Sequence, residues 1–191
     1  MGVNNITYEN YFIPNIKNFA KITLSEDRRK KLATAIGIKI KATELKRGRK
    51  LLDIEINNFR KTYMQTAGDL VLEQHLRLSN LVNFDKIHDE NRISFLNDIL
   101  PSKNIDIVTF EYGLFPMVYK KTYRKTIFVC MINKTEFYLC GVAKPETVNG
   151  YSRTDLLVSS YFKSQGRAAF FGFDKLSPIT GNLGDFMKLI S

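Results

Sequence analysis

Several features that would assign this 191-residue chain to a familiar class are missing from its sequence. There is no tryptophan, and the two cysteines, Cys130 and Cys140, lack both a CxxC motif and the spaced partners of a zinc site. No apolar run approaches the ~18 residues of a membrane span, and no signal-peptide core is present. Helix-turn-helix, zinc-finger and RNP-type motifs are also absent. We therefore expect a cytoplasmic protein with reduced, buried thiols and no membrane partner.

The composition is that of an ordinary globular domain with an unusual excess of positive charge. Hydrophobic residues make up 44% and charged residues 25%, while the formal net charge is +10. Residues 1–65 hold fourteen Lys and Arg against six Asp and Glu, and residues 66–191 hold fifteen against thirteen. A polyanionic partner is expected to contact mainly the first third. We expect nucleic acid, and DNA in particular, with a homodimer as a candidate assembly.

Two basic stretches follow one another in that first third. A helix is predicted from about residue 24 to 36, opened by a capping box of Thr23 and Glu26 and ended by Gly37. Such a charged run is usually a solvated helix face, and a second basic stretch nearby raises the alternative of a phosphate-binding face. Without a base-reading motif, binding would be led by the nucleic-acid backbone. The candidate contact residues are Arg28, Arg29, Lys30, Lys31, Lys46, Arg47, Arg49 and Lys50.

The remaining pattern predicts an α+β (mixed α/β) fold with a central mixed β-sheet flanked by helices. Residues 55–80 carry the strongest helical periodicity, and residues 126–132 form a continuous apolar run typical of a buried strand. Further strands are predicted near residues 115–121, 136–142 and 168–173. We divide the chain into a basic N-terminal helical or extended region, 1–54, and an α/β core, 55–191.

Residues 97–109 read NDILPSKNIDIVT and predict a β-hairpin that carries two acids. Asp98 and Asp106 lie in short apolar runs separated by the turn-forming residues 101–104. If the two carboxylates are close together, their repulsion favours a divalent cation between them. The alternative is that both are solvated residues of an edge hairpin.

Glu73 is a third candidate acid, and its spacing places it near the buried side of a predicted helix. It lies three residues after Leu70 and three before Leu76, so it is expected on or beside the buried stripe of the predicted helix. A buried charge needs a partner. It is either a ligand directed at the sheet or one member of an ion pair with Arg77, four residues later.

Helix, hairpin and strands together resemble the PD-(D/E)XK nuclease superfamily, in particular its small phage and bacterial members. The matching elements are the helix at 68–73, Asp98, the DVKT-like run 106–109, the apolar strand 127–132 and the turn at 140–146. The resemblance covers roughly residues 60–148. It implies a restriction-endonuclease-like core in which Glu73, Asp98 and Asp106 hold one or two Mg²⁺ (or Mn²⁺) ions that activate water for phosphodiester hydrolysis.

The family's lysine is missing, because Val108 stands two residues after the second acid. Lys120, on the next predicted strand, is the candidate catalytic replacement, and Lys103 in the hairpin turn is another. The prediction is therefore a metal-dependent endonuclease with an atypical active site. The alternatives are a nuclease-like fold that has lost catalysis and binds DNA or protein, and a basic nucleoprotein component or regulator without a catalytic site.

Overall fold

A computed structural model of the protein describes residues 7–78, 82, 84, 105–157 and 159–191, and it confirms the predicted α+β fold. The strands are β1 (Ala20–Thr23), β2 (Ile105–Glu111), β3 (Met117–Tyr119), β4 (Lys125–Met131), β5 (Glu136–Ala143), β6 (Ser152–Arg153) and β7 (Arg167–Phe170). The helices are α1 (Tyr8–Phe12), α2 (Glu26–Arg47), α3 (Asp53–His75), α4 (Pro145–Gly150), α5 (Ser160–Ser164) and α6 (Leu183–Ile190).

The strands form two sheets. The central sheet has the order β1-β5-β4-β2, with β2 parallel to β4 and the other neighbours antiparallel, so it is mixed as predicted. The smaller sheet is antiparallel, in the order β3-β7-β6. β4 carries most of the apolar run at 126–132. It has a strand on each side, and both of its faces are covered by packed side chains, which explains why polar and apolar residues do not alternate in that run.

The two faces of the central sheet bury different kinds of side chain. On one face, which we call the helical face, α2, α3 and α6 pack on aliphatic residues such as Ile127, Val129 and Leu139. On the other, the aromatic face, the N-terminal segment and the loop after β7 bring rings onto Phe110, Phe128 and Cys130. Side chains alternate along each strand, so neighbouring residues belong to opposite faces.

The alternation of side chains between the two faces is interrupted at one residue of β5. Leu139 faces the helical face and Cys140 the aromatic face, yet Val142 faces the helical face again. A register shift against β4 places the extra residue of a β-bulge here, and Gly141 has φ +134°. A Cβ on Gly141 would lie 2.5 Å from the Ser177 carbonyl oxygen, so both its backbone angle and its neighbours require glycine.

The predicted end of the first long helix was wrong. α2 continues through Gly37 to Arg47 and ends at Gly48, which caps it in the left-handed conformation. Ile36 and Ile40 pack on the helical face, and this burial outweighs the cost of about 1 kcal/mol for a glycine in the helix interior. The predicted capping box was also wrong, because Thr23 is the last residue of β1 and Ser25 precedes the helix.

The N-terminal third contributes directly to the central sheet and its core. β1 pairs antiparallel with β5, from Ala20 opposite Leu139 to Thr23 opposite Glu136. Leu32 of α2 belongs to the same hydrophobic cluster as Leu70 of α3. The structure therefore joins residues on both sides of the predicted boundary at 54/55 through one core.

α3 approaches β2 closely at Gly68. A Cβ placed on Gly68 would lie 1.9 Å from Thr109 Oγ1, so the helix reaches this position because the side chain is absent. Thr109 Oγ1 is buried and has no hydrogen-bond partner among the described residues. Because Thr109 faces α3 and side chains alternate along β2, Asp106, Val108 and Phe110 point away from α3.

Candidate nucleic-acid interface

A cleft of about 990 Å³ runs beside β2, which is the last strand of the central sheet within the described residues. Its walls are the N-terminal half of α3, β2, β3 and the loop between β3 and β4, with contributions from α5 and β7. We call it the β2 cleft. Its polar and aromatic lining includes Asn57, Asn58, Arg60, Lys61, Asp106, Glu111, Tyr119, Lys121, Tyr123, Arg124, Phe162 and Arg167.

Asp106, a predicted metal ligand, lies in this cleft and is held by an arginine. The Arg124 Nη1 group donates a hydrogen bond of 2.9 Å to Asp106 Oδ1. That bond raises the pKa of the Arg124 guanidinium above its usual value, so the arginine stays charged. A metal ion at Asp106 would have to displace or accommodate this cation.

The cleft carries more positive than negative charge. Five of its lining side chains are cationic and two are acidic. Arg124 neutralises Asp106, and Arg60 Nη2 lies 2.8 Å from Glu111 Oε1. Lys61, Lys121 and Arg167 form no ion pair with any carboxylate of the described residues. Both acids are therefore compensated, and three cations remain available for an external anion.

The loop that carries Lys121 and Tyr123 is fixed to α4. Asn149 Oδ1 accepts the Thr122 N–H at 3.0 Å, and Asn149 Nδ2 donates to the Thr122 carbonyl at 2.9 Å. Lys121 has φ +61°, a left-handed conformation that a non-glycine residue adopts at some cost. The two Asn149 bonds stabilise that backbone and present the side chains on either side of Thr122 to the cleft.

Two exposed tyrosines of the cleft each contact an arginine. The Arg167 Cζ atom lies 3.9 Å from the Tyr119 ring centroid, and its Nη2 donates a 2.8 Å hydrogen bond to the Tyr119 hydroxyl. The Arg124 Cζ atom lies 5.4 Å from the Tyr123 ring centroid. These contacts restrict the orientation of both rings although more than half of each side chain is exposed.

Glu73 is buried, as its spacing predicted, but it faces away from Asp106. Its side chain forms an ion pair with Arg28 of α2, and its Oε2 accepts the Val82 N–H at 2.8 Å. The partner is therefore Arg28 rather than Arg77. α3 covers the helical face, whereas Asp106 alternates with Ile105 and Ile107 and so belongs to the aromatic side of the sheet.

The other predicted catalytic residues do not join Asp106 within the described chain. Asp98 and Lys103 lie outside the described residues, as does the first half of the predicted hairpin, whereas its second half is part of β2. Lys120 is exposed, and it does not line the β2 cleft. Asp106 and Val108 lie two residues apart in β2, so their side chains share one face of the strand. No three acidic, cysteine or histidine side chains of the described residues are grouped to hold a metal ion.

The predicted basic contact residues in α2 and just after it have several different environments. Arg28 is mostly buried, and its guanidinium also lies 5.1 Å from the Phe84 ring centroid. Lys30 pairs with Glu26 and Lys31 with Asp27, four residues earlier in each case. Near the end of the helix, Arg47 and Arg49 both pair with Glu55, while Lys46 and Lys50 are exposed. Arg29 is half-buried. Binding of nucleic acid by this set stays a prediction.

The sequence interpretation missed Lys61, Lys121, Tyr119, Tyr123, Arg124 and Arg167 as a group. Tyr119 to Arg124 form one run, YKKTYR, in which aromatic and basic residues alternate closely, and this signal was available. Lys61 and Arg167 are distant in sequence, and only packing brings them to the same cleft. Both cysteines are free and buried, as predicted.

The fold and the site together define a mixed α+β protein with a cationic, tyrosine-lined cleft at the end of its central sheet. Among the helices that the structure describes, none has the length and apolar character needed to cross a membrane. Comparisons of the chain with models of known families, with curated proteins and with solved structures found no match.

Proposed function

We propose that this protein binds nucleic acid through the β2 cleft. The observation that carries the proposal is the convergence of Lys61, Lys121 and Arg167 in one cleft whose two carboxylates already have arginine partners. Phosphate groups are common anions that several neighbouring cations bind together. Each cation that neutralises a phosphate releases counterions, and this release favours binding at low salt. The net charge of +10 supports the same partner by long-range attraction.

The cleft is a better candidate than the basic run at 28–31 because of what its cations contact. In that run Arg28 is committed to Glu73, and Lys30 and Lys31 have acids on the same helix turn. Exposed i,i+4 pairs of this kind are weak, so they do not prevent binding, but they lower the local potential. The cleft presents its cations beside exposed aromatic rings, a combination suited to nucleic acid.

Metal-dependent cleavage, which the PD-(D/E)XK resemblance implies, stays a prediction. Asp106 lies in the proposed binding cleft, where a scissile phosphate would be brought to it. Of its predicted partners, Glu73 faces the other side of the sheet, and Asp98 lies outside the described residues. Incubation of single- and double-stranded DNA and RNA with Mg²⁺ or Mn²⁺, with EDTA as the control, measures this activity directly.

The binding proposal is tested by fluorescence anisotropy with labelled oligonucleotides over a series of salt concentrations. We expect the Lys61→Gln/Lys121→Gln variant to bind about tenfold more weakly and its log–log salt slope to fall by about 1 to 2. The matched control is Lys30→Gln/Lys31→Gln, which removes the same charge from α2. Absence of salt-dependent binding, or equal losses in both variants, would contradict binding through the cleft.

A further inference from the structure

We infer that the β2 cleft takes single-stranded nucleic acid, with unpaired bases stacked on Tyr119 and Tyr123. This inference rests on the proposed function and names the class of ligand. The two rings, 54% and 68% exposed, line the same cleft as Lys61 and Lys121, which have no ion-pair partner among the described residues. Each ring therefore presents an exposed face beside a cation of the cleft, which is the surface on which a base stacks.

Both rings are held in place before a ligand arrives. Arg167 packs on Tyr119 and donates to its hydroxyl, while Arg124 lies near the Tyr123 ring and is anchored by Asp106. A ring already restricted by a guanidinium loses less conformational freedom when a base stacks on it. The guanidiniums also add positive charge beside the stacked base, where the phosphate backbone passes.

The geometry favours a single strand over a duplex. In a duplex the base faces are already stacked on one another, so a tyrosine on the protein surface can reach only the edges, the sugars and the phosphates. Single strands expose the base faces and bend easily enough to place phosphates on Lys61 and Lys121 while bases stack on the rings. Stacking on aromatic side chains tolerates any base, so little sequence preference is expected.

The test compares a labelled single strand with a duplex of the same length, in DNA and RNA forms, at one salt concentration. We expect single strands to bind at least tenfold more tightly than the duplex. The Tyr119→Leu/Tyr123→Leu variant should lose at least tenfold in single-strand affinity, about what one lost stacking contact is worth. Its duplex affinity and its salt slope should stay unchanged.

Two controls separate stacking from other effects. Tyr161→Leu removes a tyrosine that is 64% exposed and outside the lining of the cleft, and it should change nothing. Tyr119→Phe/Tyr123→Phe keeps the rings and their stacked guanidiniums and removes only the hydroxyls, with the hydrogen bond that Arg167 donates to Tyr119, so it should lose much less single-strand affinity than the leucine variant. Because the replaced side chains are exposed, circular dichroism and urea unfolding should match the parent protein.

A second readout locates the contact. Photocrosslinking with single strands that contain 5-iodouracil should attach the nucleic acid to the peptide carrying Tyr119 and Tyr123. Equal affinity for single strands and duplex, or full binding by the leucine variant, would overturn this inference while leaving salt-dependent binding by the lysines intact. If the parent protein binds neither single strands nor duplex, the proposed function itself is overturned. Comparing the affinities for the DNA and RNA forms shows which of the two kinds of single strand the cleft prefers.

Discussion

The two faces of the central sheet use an acid–arginine pair for different purposes. On the helical face, Glu73 and Arg28 are 4% and 17% exposed, and the pair ties α3 to α2. On the other side, Asp106 and Arg124 are 33% and 43% exposed and lie in an open cleft. Burial decides the difference, because a buried charge depends on its partner whereas an exposed charge is solvated without it. The same residue types therefore stabilise the fold in one place and, under the proposed function, set the charge of a binding cleft in the other.

Breaking the buried pair should have the largest effect. Arg28→Met leaves Glu73 buried without its cation, so we expect the free energy of unfolding to fall by about 3 to 5 kcal/mol in urea titrations. Arg124→Met is the matched change in the cleft, and it should cost less than about 1 kcal/mol. Equal losses in the two variants would show that burial does not distinguish the two pairs.

The contact that holds α3 on the helical face can be tested at Gly68. Gly68→Ala places a methyl group against Thr109 Oγ1, so we expect a loss of about 1 to 2 kcal/mol after the helix-propensity gain of alanine. Thr109→Ala in the same chain should restore much of this stability. Gly37→Ala is the control, since nothing lies within 4 Å of its added Cβ, and it should stabilise the protein by up to about 1 kcal/mol. Destabilisation by Gly37→Ala would contradict the uninterrupted α2.

The aromatic face should respond to alkaline pH. Burial raises the pKa of the Cys130 thiol from 9.0 to about 12 and raises the pKa of Cys140 well above its usual value. Thiols whose pKa is higher in the folded than in the unfolded state stabilise the fold below pH 9, and this stabilisation is lost as the pH rises toward 12. We expect each thiol to contribute a loss of about 1 kcal/mol between pH 8 and pH 10, measured by urea unfolding.

The double variant Cys130→Ala/Cys140→Ala is the control for this pH effect. It should be less stable at pH 8 because it leaves small cavities, but its stability should fall less between the two pH values. A parallel fall in both proteins would assign the alkaline loss to other groups. Tyr8, whose pKa burial also raises, remains in the variant and accounts for a smaller residual slope.

The smallest change in stability is expected in the cleft itself. Asp106→Asn removes one exposed member of an ion pair, so the free energy of unfolding should change by less than about 1 kcal/mol. Affinity for single-stranded nucleic acid should rise about threefold to tenfold at low salt, because removing a repelling carboxylate and freeing the Arg124 charge outweighs the lost anchoring of Arg124 beside Tyr123. If Asp106 holds a catalytic metal, the same variant abolishes Mg²⁺-dependent cleavage. Weaker binding in the variant without Mg²⁺ would contradict the role given to Asp106 here.

Local sequence patterns were sufficient for several elements of the fold. The apolar run of β4, the periodicity of α3 and the α+β class were all predicted, because each depends on neighbours in the chain. The burial of Glu73 and the shared face of Asp106 and Val108 followed from helical and strand spacing in the same way. The boundary of α2 failed because a tertiary contact, the packing of Ile36 and Ile40, overrode the local signal of Gly37.

The sequence by itself determined the composition of the protein's surface and core: an excess of basic residues, two buried thiols, and acids at positions fixed relative to α3 and β2. Tertiary structure alone decided which of these groups meet. It paired Glu73 with Arg28, 45 residues away, and Asp106 with Arg124, and it brought Lys61 and Arg167 to one cleft. Periodicity specifies the direction of a side chain within its own element, but the partner depends on how elements pack across a sheet, which no local pattern encodes.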